Sequence, residues 1–125
     1  MNKLKVISEQ LEAIGIPYEF GEWTKAIQYP YFVGEITEEE PTTEDGLEQS
    51  VLFLNGFHRG GAYIDLLEMC QTIKKHFHPV HGLRVETEEG TVVVFYAGSR
   101  YVPTNEAELK RIQIDLKIKE WKGEI

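Results

Sequence analysis

A single cysteine, Cys70, is all the thiol chemistry the chain has. It rules out an internal disulfide and any cysteine-built metal cage. Its place in an apolar helical pattern marks a small buried hydrophobe suited to a reducing compartment. Basic residues are also scarce, with 13 Lys and Arg against 21 Asp and Glu for a formal net charge of -8. That balance disfavours general nucleic-acid affinity and adhesion to an anionic membrane surface. No apolar run approaches the length of a membrane span. The segment after Met1 carries Ser8, Glu9, Gln10 and Glu12 where a signal peptide needs an unbroken apolar stretch, so cytoplasmic synthesis is expected. Ser8, Ser50 and Ser99 have no glycine elbow around them. Gly60-Gly61 lacks the Gly-Lys-Ser or Gly-Lys-Thr core of a phosphate loop and is expected simply to turn the chain. These absences exclude an activated nucleophile, and neither an enzyme nor a cofactor is expected.

What the sequence does have is patterning. The clearest example is Leu109 to Trp121, where Ile112, Ile114, Leu116 and Ile118 alternate with Gln113, Asp115, Lys117 and Lys119. Successive strand residues point to opposite faces, so one face of this long strand is buried and the other is wet or meets a partner. Leu4, Ile7, Leu11 and Ile14 recur at helical spacing, and Gly15-Ile16-Pro17 stops the helix, giving a first helix over Lys3 to Ile14. The aromatic stretch from Tyr18 to Val33 reads as two strands broken near Gln28-Tyr29-Pro30. Ser50 to Phe57 resumes as a strong strand after the polar segment Thr37 to Gln49, the pattern of a long hairpin with an acidic tip. Leu66, Cys70, Ile73 and Phe77 make the stripe of a second helix over Ala62 to Phe77, ended by His78-Pro79. Leu83 to Val85 and Thr91 to Tyr96 form a second hairpin through Glu88-Glu89-Gly90. Val92 to Tyr96 is apolar on both faces and is expected centrally in the sheet. Asn105 to Glu108 is helix-friendly and leads into the last strand.

The expectation is one α+β domain over residues 1–125, a mostly antiparallel sheet with two helices packed on it, in the order helix, three strands, helix, three strands.

Candidate sites follow from charge and aromatics. His58, His76, His78 and His81 supply imidazoles, yet their spacing has no matching cysteine or carboxylate signature, so no metal site is expected. His76 falls in the last helical turn, where a cation complements the helix dipole. Between Lys25 and Arg59 there is no basic residue, while Glu38, Glu39, Glu40, Glu44 and Asp45 concentrate negative charge. Such a stretch is solvated, repels DNA, or docks on a basic surface. Arg111, Lys117, Lys119 and Trp121 bring basic and aromatic groups to the outer side of the last strand, and Trp23 is a second aromatic anchor. These five are the candidates for a subunit or partner contact.

Leu11-Glu12-Ala13-Ile14-Gly15-Ile16-Pro17, Gly21-Glu22-Trp23, Tyr31-Phe32-Val33-Gly34-Glu35, Thr43-Glu44-Asp45-Gly46, Leu54-Asn55-Gly56-Phe57 and Val102-Pro103-Thr104 with Glu108-Leu109-Lys110-Arg111, in that order, resemble the small tail terminator, or tail completion, proteins of long-tailed bacteriophages and prophages. The likeness runs over most of the chain. It implies an antiparallel sheet flanked by helices and a ring, usually hexameric, that caps the finished tail tube and presents the surface joined by the head. The partners it implies are further copies of the chain, the tail-tube protein and the head-tail connector protein. The location it implies is the virion tail, assembled in the bacterial cytoplasm. It implies no catalytic residues, and with the acidic stretch inside a ring, that stretch would face the lumen or a partner. A head-tail connector or head-closure protein would share the same size, acidity and ring formation. A small cytoplasmic ligand- or metal-binding protein, using the histidines and the aromatics near Trp23, is the alternative of another class.

Overall fold

A computed structural model describes residues 2–38 and 47–122. The first helix, α1 (Asn2–Ala13), buries Lys3, Val6, Ile7 and Leu11. Gly15 adopts a positive φ of 78°. The Gly15 N–H donates to the Glu12 carbonyl and the Ile16 N–H to the Leu11 carbonyl, both at 3.0 Å. This pair of bonds satisfies carbonyls that the helix end leaves open, and the positive φ is why a glycine stands there.

Three strands follow, β1 (Tyr18–Phe20), β2 (Tyr31–Glu38) and β3 (Leu47–Arg59), then α2 (Tyr63–Phe77) and the strands β4 (Leu83–Thr87), β5 (Gly90–Val102) and β6 (Leu109–Lys122). The strands make one sheet in the order β1-β2-β3-β6-β5-β4. Every pairing is antiparallel except β1 with β2. The domain is therefore α+β, with helix, three strands, helix and three strands in chain order. Among the described residues, no helix is long and apolar enough to cross a membrane.

Both helices lie on one face of the sheet. That face supplies Phe32, Leu52, Leu54, Val92, Val94, Tyr96, Ile112, Ile114, Leu116 and Ile118, which pack with Val6, Ile7 and Leu11 of α1 and Leu66, Cys70, Ile73 and Phe77 of α2. Two glycines make room within it. A Cβ on Gly56 would come within 2.5 Å of the Phe32 ring, and one on Gly34 within 2.5 Å of the Tyr18 hydroxyl.

Several elements depart from the sequence reading. Val92 to Tyr96 lies inside the sheet as expected, on β5 between β6 and β4 with Val92, Val94 and Tyr96 under the helices, and the middle strands are β3 and β6. The apolar Val93 and Phe95 face the side without helices, so their hydrophobicity does not signal helix cover. The stretch from Tyr18 to Val33 holds two strands as expected, but the break between them is longer: Gly21 to Pro30 is a connection that brings β2 back parallel to β1. Strand β3 begins three residues before Ser50 and pairs along its whole length with β6. Strand β5 runs past Tyr96, with a register shift between Tyr96 and Gly98. Residues 105–108 form bends and a turn that lead into β6.

Ile114 tests the inner face. It is fully buried at the middle of the central strand pair. Ile114→Ala is expected to cost about 2–5 kcal/mol, and Ile114→Asp to abolish folding by burying an unpaired carboxylate. The exposed neighbour control, Lys117→Ala, is expected to stay within about 0.5 kcal/mol of the parent. Urea denaturation followed by circular dichroism measures all three.

Candidate functional site

The sheet face opposite the helices has no covering element among the described residues. Strand pairing arranges its side chains in rows across β2, β3, β6 and β5. One row is Tyr31, Phe57, Arg111 and Val102, and the next is Val33, Asn55, Gln113 and Arg100. Further along, Val51, Lys117 and Phe95 align, then Gln49, Lys119 and Val93, and finally Leu47, Trp121 and Thr91.

The register separates the residues that sequence reasoning grouped together. Arg111 and Trp121 are ten positions apart on β6, roughly 33 Å along an extended strand. Arg111 belongs with Trp23. The Trp23 and Tyr31 rings have centroids 4.8 Å apart, Tyr31 stacks on Phe57 at 5.3 Å, and the Arg111 guanidinium lies 5.5 Å from the Phe57 centroid. Arg111 also donates to the Asn55 side-chain carbonyl at 2.8 Å, and Asn55 donates to Glu35 at 3.4 Å. Its buried Nε has no partner. Arg111 is thus held on the surface by the sheet's own residues.

Lys117, Lys119 and Trp121 occupy the other end. Lys119 places its ammonium 5.7 Å from the centroid of Phe95. Neither lysine forms an ion pair with a carboxylate among the described residues, whereas Arg59 pairs with Glu106, Arg84 with Glu86 and Arg100 with Asp115. Arg100 also donates to Gln113 at 2.6 Å. Sequence reasoning missed Arg100 because it ended the strand at Tyr96. The bulge at Ala97 shifts the alternation by one residue, so Gly98, Arg100 and Val102 face outward where 91, 93 and 95 did before it. Asn55 was legible as a polar residue amid Leu54 and Phe57, but its burial at 2% exposure was not.

Of the acidic candidates, Glu38 lies within the described residues and is already engaged. It accepts a hydrogen bond at 3.1 Å from Lys3, whose side chain is only 2% exposed. Glu39, Glu40, Glu44 and Asp45 lie outside the described residues.

His78 and His81 stack with ring centroids 4.7 Å apart, while no group of three or more metal-ligating side chains forms among the described residues. His58 places Nε2 2.8 Å from Asp65 Oδ2. The carboxylate accepts, so the proton sits on Nε2 and the buried Nδ1 is left unpartnered. Gly61 packs directly against this ring and admits no side chain. His78 stands just past α2 with φ 52°, and its Nδ1 accepts the N–H groups of Val80 and His81. His76 joins the two helices through a 2.8 Å bond between its Nε2 and Gln10 Oε1. Burial lowers its pKa, so the cation expected to complement the helix end is better supplied by Lys74 and Lys75 in the same turn. Cys70 is buried as expected, and its Sγ lies 3.2 Å from the Tyr96 hydroxyl. Burial and that thiol push the Tyr96 pKa up to about 12. Burial alone pushes Tyr18 to about 12. Both phenols are neutral at ordinary pH; the Tyr96 hydroxyl meets Cys70, whereas the buried Tyr18 hydroxyl has no partner among the described residues. A cleft of about 570 Å³ runs beside β1, lined by Tyr18, Trp23, Lys25, Tyr29, Pro30 and Met69 among others.

No protein-family profile matches the chain. No curated protein sequence matches it either. Comparison with solved structures gives a match with a TM-score of 0.67 and 13% sequence identity, covering 94% of this chain and 89% of the other. The name of that protein says nothing of what it does, and at this identity the likeness is one of fold.

The His76 contact has a pH signature. A folded-state pKa lowered from the ordinary 6.5 means the unfolded chain takes up a proton first, so stability is full above about pH 6.5 and falls as the pH drops toward the folded value. The Glu19 carboxylate, held down chiefly by Thr24, and Glu86, held down chiefly by Arg84, act in the same direction only below the ordinary 4.5. Thermal midpoints measured between about pH 7 and pH 5 should therefore decline in the parent and decline less in His76→Gln. An identical slope in both would contradict the assignment.

Proposed function

We propose that this protein is a structural subunit of a long-tailed phage particle that assembles as a ring on the finished tail tube, ends its polymerisation and offers the surface to which the head attaches. The observation that carries the reading is the uncovered sheet face. It combines half-buried aromatic and aliphatic side chains with two lysines that meet no carboxylate among the described residues. An apolar, charge-bearing face of this kind is what a protein-protein contact requires. The two ends of the face differ: Arg111 and Arg100 are held by Asn55, Asp115 and Gln113 at the first, whereas Lys117 and Lys119 at the second meet no carboxylate among the described residues. Unlike surfaces favour a head-to-tail contact, which generates a ring when the rotation closes. The ordered motifs from Leu11 to Arg111 add the resemblance to tail terminator proteins.

A second reading, capture of a small ligand, draws on the aromatic cleft beside Trp23. It predicts that ligand binding at the cleft persists in a monomer and is independent of any tube.

The discriminating experiment mixes the purified chain with polymerising tail-tube subunits and measures tube length by negative-stain electron microscopy. Capping predicts shorter tubes with density at one end, and loss of the gene from its prophage predicts tails of unregulated length. Unchanged tube lengths in the mixture and normal tails in the deletion would sink the tail reading.

A further inference from the structure

The cationic end of the outer face contains a notch of about 230 Å³ lined by Pro79, Val80, Phe95, Tyr96, Lys117 and Lys119, among others. Its chemistry is mixed. Val80 is 72% exposed at the tip of the turn after α2, and Phe95 forms part of the wall. The two ammonium groups stand on the β6 side, two residues apart and therefore on the same face of the strand. Such a notch suits an extended acidic segment whose carboxylates meet the lysines while its aliphatic atoms cover Val80 and Phe95.

The chain itself contains a segment of that chemistry. From Lys25 to Arg59 there is no intervening basic residue, and the acids are Glu35, Glu38, Glu39, Glu40, Glu44, Asp45 and Glu48. Three of these are engaged within the fold. Glu35 accepts from Asn55, Glu38 from Lys3, and Glu48 lies 4.0 Å from Lys122. The remaining four, Glu39, Glu40, Glu44 and Asp45, enter by their charge alone, since their positions lie outside the described residues.

We propose that the acidic stretch from Glu39 to Asp45 of a second copy seats on the Lys117–Lys119 notch. Complementarity carries the choice of occupant: the longest stretch of the chain without Lys or Arg is matched to the two lysines of the outer face that meet no carboxylate among the described residues. Donor and acceptor surfaces differ, so the contact is heterologous and can propagate around a ring. Individual exposed ion pairs contribute little. The contact therefore depends on several charges acting together with burial of Val80 and Phe95, and it weakens as salt shortens the screening length. The proposal rests on the ring reading for its biological meaning, yet it can fail separately from it.

A carbodiimide, which joins a lysine amine directly to a carboxylate, tests it on the full-length chain. Equal amounts of nitrogen-15-labelled and unlabelled protein are mixed at low salt, cross-linked and analysed by mass spectrometry. The expected result is mixed-isotope peptides joining Lys117 or Lys119 to the stretch from Glu39 to Asp45. These links cannot form in Lys117→Glu/Lys119→Glu, which has no amine at either position, and should return, joining its stretch from Glu39 to Asp45 to Lys117 or Lys119 of the other chain, when it is mixed with Glu44→Lys/Asp45→Lys. Circular dichroism of each variant confirms the parent fold. Links confined to one isotope would place the contact within a single chain and overturn the proposal. So would mixed-isotope links only to other residues, or a charge swap that fails to restore the yield between folded variants. Tube capping that persists in Lys117→Glu/Lys119→Glu would remove this contact and leave the tail reading standing. Inter-copy links without tube capping would do the reverse.

Discussion

The pairing of β3 with β6 is the constraint on which the rest depends. It runs from Leu47 opposite Trp121 to Arg59 opposite Leu109 without a register break. Because side chains alternate with a period of two, this single register puts Leu52, Leu54, Ile112, Ile114, Leu116 and Ile118 on one face and Val51, Phe53, Arg111, Lys117 and Lys119 on the other. A slip of one residue would turn the core outward. Both helices commit to the first face, through Ile7 and Leu11 of α1 and Leu66, Ile73 and Phe77 of α2. The second face is left without a helix among the described residues by the same choice.

Polar contacts fasten the helices to that frame. Lys3 pairs with Glu38 at the end of β2, Asn2 donates to Thr87 at the end of β4, and His58 on β3 meets Asp65 in the first turn of α2. A buried charge is costly unless paired, so these contacts argue for a defined docking geometry more than for added stability. The edges of the sheet are managed differently from its face. Strand β1 has three residues, and β4 has five with Arg84 and Glu86 exposed. Short, charged edges discourage uncontrolled strand addition.

Much of this was legible in the sequence because the inner face is written in uninterrupted periodicity. Ile112 to Ile118 announced a one-sided strand, and Leu66, Cys70, Ile73 and Phe77 announced a one-sided helix. Strand order was legible in part: Val92 to Tyr96 lies inside the sheet as its hydrophobicity suggests, but nothing in the sequence marks β3 and β6 as the middle pair. Its outward residues Val93 and Phe95 are apolar although that face carries no helix among the described residues. The bulge at Ala97 hid Arg100, because alternation counted from Tyr96 assigns every later residue to the wrong side. Lys3 was invisible as a core residue, since its burial depends on a partner 35 positions away. The candidate contact residues were found by charge and aromaticity, but only the strand register separates Arg111, held by Asn55 and Phe57, from Lys117 and Lys119, which meet no carboxylate among the described residues.

The account therefore turns on one claim, that the sheet face without helices is the working surface of the molecule. Carbene footprinting of the free chain and of the chain bound to tail tubes measures it residue by residue. The account predicts that labelling of Val80, Phe95 and Trp121 falls on assembly while the exposed residues of α1 and α2, such as Glu12 and Ile64, keep their labelling. Protection confined to the helices, with the outer sheet face labelled as in the free chain, would contradict it.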